Sequence, residues 1–155
     1  MRSRTANWFE CKVRYEKVMD DGLQKKVNEQ YIVNGVSFGD AEKRITEEMS
    51  QYVSGGFDIL NINPCPFGEI FFSDASEDDR WYRARLVFIT VDEKTEKEKR
   101  SKVQYLVQAG SFDVAKKHIE EVMGGTMIDY VIEKVEETAY MDVFEYAGQD
   151  KQGMA

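Results

Sequence analysis

The only histidine of the chain, His118, sits in a helical stretch beside Lys116 and Lys117, off the apolar stripe of that helix. Alone it cannot build a multi-histidine metal centre, and its placement reads as an exposed helix residue in preference to a general base. Cys11 and Cys65 lack Cys-x-x-Cys spacing, so no structural zinc is expected. The pairs Glu47-Glu48, Glu120-Glu121 and Glu136-Glu137 invite acid–base or divalent-cation chemistry. Neighbours on a helix diverge by about 100°, so the helical pairs cannot converge, and the acids read as solvated faces. Gly55-Gly56 and Gly124-Gly125 follow helical stretches as C-caps and do not precede them as phosphate loops. Ser37 and Ser111 open those stretches, where a Ser hydroxyl satisfies the amides that would otherwise hold an anion. The expectation is a protein with no enzymatic role, no cofactor and no metal.

Binding chemistry is better represented. From Trp8 the residues alternate with period two: Phe9, Cys11, Val13 and Tyr15 point inward, and Trp8, Glu10, Lys12 and Arg14 outward. Across the strand pair Gln30, Ile32 and Asn34 join the outer set. A second outer set holds Trp81, Arg83 and Arg85 with Lys102, Gln104, Leu106 and Gln108. The candidate binding face is therefore Trp8, Lys12, Arg14, Gln30, Trp81, Arg83, Arg85 and Gln104. An aromatic plate, cations and amides are what single-stranded nucleic acid uses for stacking, phosphates and base edges. Trp at a strand start is also a common packing or interface residue. The preferred reading is a non-catalytic binding or assembly module acting through protein contacts, with another protein or a second copy as partner. Sheet faces or edge strands supply the surface, and single-stranded nucleic acid is the alternative.

Two helices position these strands, and they follow one design. SFGDAEKRITEEMSQYVSGG from Ser37 and SFDVAKKHIEEVMGG from Ser111 each open Ser-Phe and close on a Gly pair. Phe38, Ala41, Ile45 and Met49 fall on one helical face, as do Phe112, Ala115, Ile119 and Met123. Trp81-Tyr82 answers Trp8-Phe9, the inward series Tyr82, Ala84, Leu86 and Phe88 matches the first, and Val143-Phe144 answers Phe71-Phe72. Asp20-Asp21-Gly22 supplies one hairpin turn and the charged run from Asp92 to Lys99 the other.

The fold class is α+β: two tandem β-β-α-β-β repeats related by a pseudo-twofold, with mainly antiparallel sheets and helices on one face. The first repeat spans 8–74 and the second 81–146, separated by an acidic connector at 75–80 and followed by a mobile polar tail at 147–155. Each repeat is small, so the halves are expected to share a core.

At 155 residues with a net charge of -8, the chain suits one ordinary domain or two very small ones, and its field opposes non-specific binding to nucleic-acid backbones or anionic membranes. No apolar run reaches the roughly 20 residues of a membrane span. The sparse cysteines and the polar start fit the cytoplasm.

The stretches RSRTANWFECKVRYEK, EIFFSD, LVQAGS and VMGGTMIDYV resemble an uncharacterised family of short bacterial proteins, carried by gut bacteria and their phages or mobile elements and known only as a domain of unknown function. The likeness runs from Arg2 to about Glu145. It implies a cytoplasmic protein of about this length and brings no catalytic residues with it.

Overall fold

The computed structural model describes residues 1–147. Of the tail expected at 147–155, all but Ala147 lies outside the described residues. The strands are β1 (Arg2–Arg4), β2 (Trp8–Val18), β3 (Gln24–Asn34), β4 (Phe57–Pro64), β5 (Glu69–Phe72), β6 (Arg80–Val91), β7 (Glu98–Ala109), β8 (Asp129–Glu137) and β9 (Tyr140–Phe144). The helices are α1 (Phe38–Tyr52) and α2 (Phe112–Gly124). The α+β class and the β-β-α-β-β element order expected from the sequence are both present.

Local chemistry sets the boundaries. The Ser37 hydroxyl accepts from the Asp40 amide at 3.1 Å and the Ser111 hydroxyl from Val114 at 3.3 Å, the N-cap geometry expected of Ser. Gly22, at φ 82, makes the turn between β2 and β3. The glycine pairs do not act as left-handed caps, since Gly22 is the only described glycine with positive φ. α1 closes instead on Val53, whose N–H donates to Met49 O, and α2 on Gly125 in the right-handed region. The polar lead is also more than a lead, because Arg2–Arg4 forms a strand on β5.

Two mixed sheets result, in the orders β4-β2-β3-β9 and β1-β5-β7-β6-β8. β2 pairs antiparallel with β3 and β4, and β6 with β7 and β8. The register slips between Lys12 and Val13 in one copy and between Arg85 and Leu86 in the other. The two slips fall at equivalent places in the two β-β-α-β-β arrangements.

The compact units do not follow the sequence boundaries 8–74 and 81–146. One unit, here the N-terminal unit, comprises 6–66 with the chain from Ala139; the other, the C-terminal unit, comprises 1–5 with 67–138. The last strand of each repeat is exchanged. β9 lies parallel to β3, with Phe144 opposite Val33, and β5 lies parallel to β7, with Phe71 opposite Val107. The register therefore equates Ile70-Phe71 with Val143-Phe144, one residue away from the match expected from the paired phenylalanines.

Each core is completed by a phenylalanine from the other repeat. In the N-terminal unit Ala41, Ile45 and Met49 of α1 pack with Phe9, Cys11, Val13, Tyr31, Val33 and Phe144. In the C-terminal unit Ile119 and Met123 of α2 pack with Phe71, Ala84, Leu86 and Val107, and Ala115 with Tyr82 and Ala109. Burying one such Ile, Met or Phe contributes about 1.5–3 kcal/mol. Phe38 and Phe112, expected on the inward stripe, are half exposed because each is the first residue of its helix; Phe38 still meets Phe9 at a ring distance of 5.3 Å.

Candidate functional site

The eight residues of the expected binding face fall into two sets of four, Trp8, Lys12, Arg14 and Gln30 in the N-terminal unit and Trp81, Arg83, Arg85 and Gln104 in the C-terminal unit. The tryptophans are not solvent-facing plates. Trp8 and Trp81 are only 2% and 3% exposed, and the neighbouring outer residues Ile32 and Leu106 are wholly buried. Trp81 meets Phe72 edge-on at 5.6 Å, and its carbonyl accepts from both the amide and the hydroxyl of Thr138. Period two establishes which way a side chain points; it does not say whether that face is covered.

The polar members are not deeply buried, and carboxylates of β8 hold Arg83 and Arg85. Arg83 Nη1 lies 3.5 Å from Glu136 and its guanidinium stands over the Phe67 ring at 5.6 Å. Arg85 Nε is 2.7 Å from Glu133, which Lys102 also approaches at 3.9 Å. In the other unit Arg14 Nε donates to Asn28 at 3.0 Å, while Lys12 and Gln30 are half-buried register partners. The run EKVEE at 133–137 was the available signal, since it lies on the strand paired with β6.

A different surface stands open in the N-terminal unit. β4 is a terminal strand of its sheet, and no described strand pairs with its outer side. One cleft lies at its start and another along its middle. The first, about 470 Å³, is lined by Arg14, Tyr15, Lys26, Gly55, Phe57 and Asp58 among others. The second, about 350 Å³, is lined by Phe38, Gly39, Glu42, Ile59, Leu60, Asn61 and Ile62. Phe38 is 54% and Leu60 39% exposed, so the second cleft has an apolar lip.

The second β-β-α-β-β arrangement offers a comparison. β8 is the terminal strand at the same position of the other sheet, and the registers on Val13 and Leu86 match Ile59 with Ile132. Leu60, Asn61 and Asn63 then correspond to Glu133, Lys134 and Glu136. Charges on an edge strand oppose pairing with another chain. β8 carries that protection, and β4, reading FDILNINP, carries one Asp. The shared bulge does not distinguish them.

The wall of the first cleft is braced from within. Glu29, 9% exposed, accepts from the Tyr15 hydroxyl at 2.6 Å and the Tyr31 hydroxyl at 2.9 Å, with Lys17 Nζ at 3.6 Å. Burial, reinforced by the hydrogen bond to Glu29, pushes the Tyr15 hydroxyl up to about 12. Burial likewise pushes the Cys11 thiol up to about 12, with Glu10 adding to it, which leaves the thiol protonated and unreactive at neutral pH. No disulfide joins Cys11 to Cys65.

His118 is not an exposed helix residue. Its Nδ1 lies 3.1 Å from Gln108 O and its Nε2 3.7 Å from the buried carboxylate of Asp78, which also accepts from Ser73 Oγ and from the Gly110 amide. Ser73 thus bonds to the carboxylate and not to the imidazole, the wrong order for nucleophilic activation. Among the described residues no group of three His, Cys, Asp or Glu side chains is placed to hold a metal ion, and no helix is long and apolar enough to cross a membrane.

A family model, "Domain of unknown function (DUF4494)", matches residues 7–146. No curated protein and no solved structure matches the chain.

Proposed function

The chain belongs to this family of unknown function, which assigns it no activity, and we propose that it is a non-catalytic, cytoplasmic binding module that takes up an extended segment of a partner protein along β4. The observation that carries the reading is the contrast between two equivalent edges. Leu60, Asn61 and Asn63 leave β4 unguarded where Glu133, Lys134 and Glu136 guard β8. An extended segment added there gains main-chain hydrogen bonds from the strand and selectivity from the two clefts beside it. The cleft of Phe38, Leu60 and Ile62 accepts an apolar side chain, and the cleft of Arg14, Lys26 and Asp58 a polar one.

The alternative, single-strand binding in the service of a phage or mobile element, keeps its cations Arg83 and Arg85 but has lost its stacking plates, because Trp8 and Trp81 are buried. Protein contact is therefore the reading retained.

The test transfers the charges of β8 onto β4. Leu60→Glu with Asn61→Lys should leave the fold intact, since the sister edge already carries those residues. Proteins bound by the natural chain in its own cell extract, compared by quantitative mass spectrometry with those bound by the variant, should fall at least about tenfold, a loss of ~1.4 kcal/mol. Equal recovery with both chains rejects β4 as the contact.

A further inference from the structure

Independently of β4, the C-terminal unit holds a second candidate site. Arg83 and Arg85 of β6, Gln104 of β7, and Lys134 and Glu136 of β8 enclose a polar cavity of about 170 Å³. Three cations and an amide surround one carboxylate on a chain whose net charge is -8. Glu136 is held at both of its oxygens, Oε1 lying 3.5 Å from Arg83 Nη1 and Oε2 3.2 Å from Lys134 Nζ. Both contacts are long for charge-assisted hydrogen bonds, which run at about 2.7–2.9 Å. The groups are also partly solvated, with Glu136 38% and Lys134 52% exposed, so each pair is weakly held.

We propose that this cavity receives the phosphate group of a small phosphate monoester, and that Glu136 is an internal stand-in which the ligand displaces. The carboxylate already placed between Arg83 and Lys134 shows that an oxyanion fits there. With Glu136 swung out, Arg83, Arg85 and Lys134 face a ligand group carrying about -1.5 to -2 charges, while Glu133 holds Arg85 and Lys102 beside the site. Guanidinium groups bind such oxygens in bidentate fashion, and Gln104 adds an amide donor. The Phe67 ring under Arg83 fixes the orientation of that guanidinium before the ligand arrives. The volume lies below the roughly 300 Å³ of pockets that enclose a whole drug-sized ligand. It therefore suits one phosphate group, with the remainder of the ligand outside.

The probe is inorganic phosphate, read by the side-chain Nε–Hε NMR signals of Arg83 and Arg85 in the full chain. The natural chain should show saturable shifts, Glu136→Gln should bind at least about tenfold more tightly, equivalent to ~1.4 kcal/mol, and Arg85→Gln or Lys134→Gln should lose the response. Equal affinity in the natural chain and Glu136→Gln overturns the proposal, as does the absence of binding to Glu136→Gln when its spectrum shows a folded chain. A response to a single-stranded oligonucleotide without one to inorganic phosphate also overturns it, because the cavity would then belong to a polymer site.

Discussion

Arg44 and His118 stand at the same position of the two helices and reach the same target. Arg44 donates to the carbonyl of Asn34, and His118 Nδ1 lies 3.1 Å from the carbonyl of Gln108, its counterpart in the other copy. Each of the two side chains has beside it a carboxylate that also holds a backbone amide. Asp40 pairs with Arg44 at 3.3 Å and accepts from the Val36 amide at 3.0 Å; Asp78 lies 3.7 Å from His118 and accepts from the Gly110 amide at 2.8 Å. The helix supplies that carboxylate in one unit and the acidic connector in the other.

Asp78→Ala should therefore destabilise the C-terminal unit by about 1–3 kcal/mol, the cost of leaving buried donors without an acceptor. His118→Arg, which copies the sister unit, should be tolerated far better than His118→Ala. Gly110→Ala should be severe, because an added Cβ would stand 2.4 Å from Glu77 O. Urea unfolding with amide exchange at Gly110 measures all four. Asp78→Ala with natural stability would show the connector to be merely laid on the surface.

The element order was legible because each helix writes its apolar face at helical spacing and each hairpin alternates with period two. The exchange of β5 and β9 was not. Periodicity assigns a strand to a face without naming its neighbour, and Ile70-Phe71 and Val143-Phe144 offer nearly the same apolar pair to either parallel position. What distinguishes them is the residue two places beyond the pair. The Asn34 side chain accepts from the Tyr146 amide at 2.7 Å and donates to the Tyr146 carbonyl at 3.0 Å. The Gln108 side chain accepts from the Ser73 amide at 2.9 Å.

A chain ending at residue 76 should consequently form neither unit. It keeps β2, β3, α1 and β4 but lacks β9, exposing Val33 and Tyr31, which Phe144 covers; of the other unit it keeps only β1 and β5. Near-ultraviolet circular dichroism should show fixed aromatic packing in the full chain and none in the truncated one. A cooperative melt of the truncated chain would mean that β5 can substitute for β9 on β3.

The candidate face was only partly legible for a related reason. Sequence alternation placed Lys12, Arg83, Arg85 and Gln104 outward, but the burial of Trp8 and Trp81 depends on what covers a sheet, which no single strand records. Glu29 and Asp78 were missed because a buried carboxylate looks like a surface one until its donors are located. Here those donors are Tyr15 and Tyr31 for Glu29, and Ser73 and Gly110 for Asp78.

Asp142, on the exchanged strand β9, tests how tightly that strand is held. Burial raises its pKa above the ordinary carboxylate value, an effect opposed by the Val143 amide, which donates to Oδ1 at 2.8 Å, and reinforced by Glu48. A carboxyl whose folded-state pKa is raised takes up its proton more readily in the folded chain. Its contribution to stability is therefore favourable in acid and lost as pH rises through the folded-state value. At neutral pH the charged Asp142 burdens the fold, and Asp142→Asn, which keeps an acceptor for the Val143 amide, should raise the melting temperature. The gain should shrink as pH falls through the folded-state value and vanish only well below the ordinary Asp pKa of about 3.9, where the natural side chain is neutral in both states. Thermal melts of the two chains across that range decide the matter. A gain independent of pH, or a loss at neutral pH, would mean that the ionised carboxylate is solvated and β9 sits more loosely on β3 than its register implies.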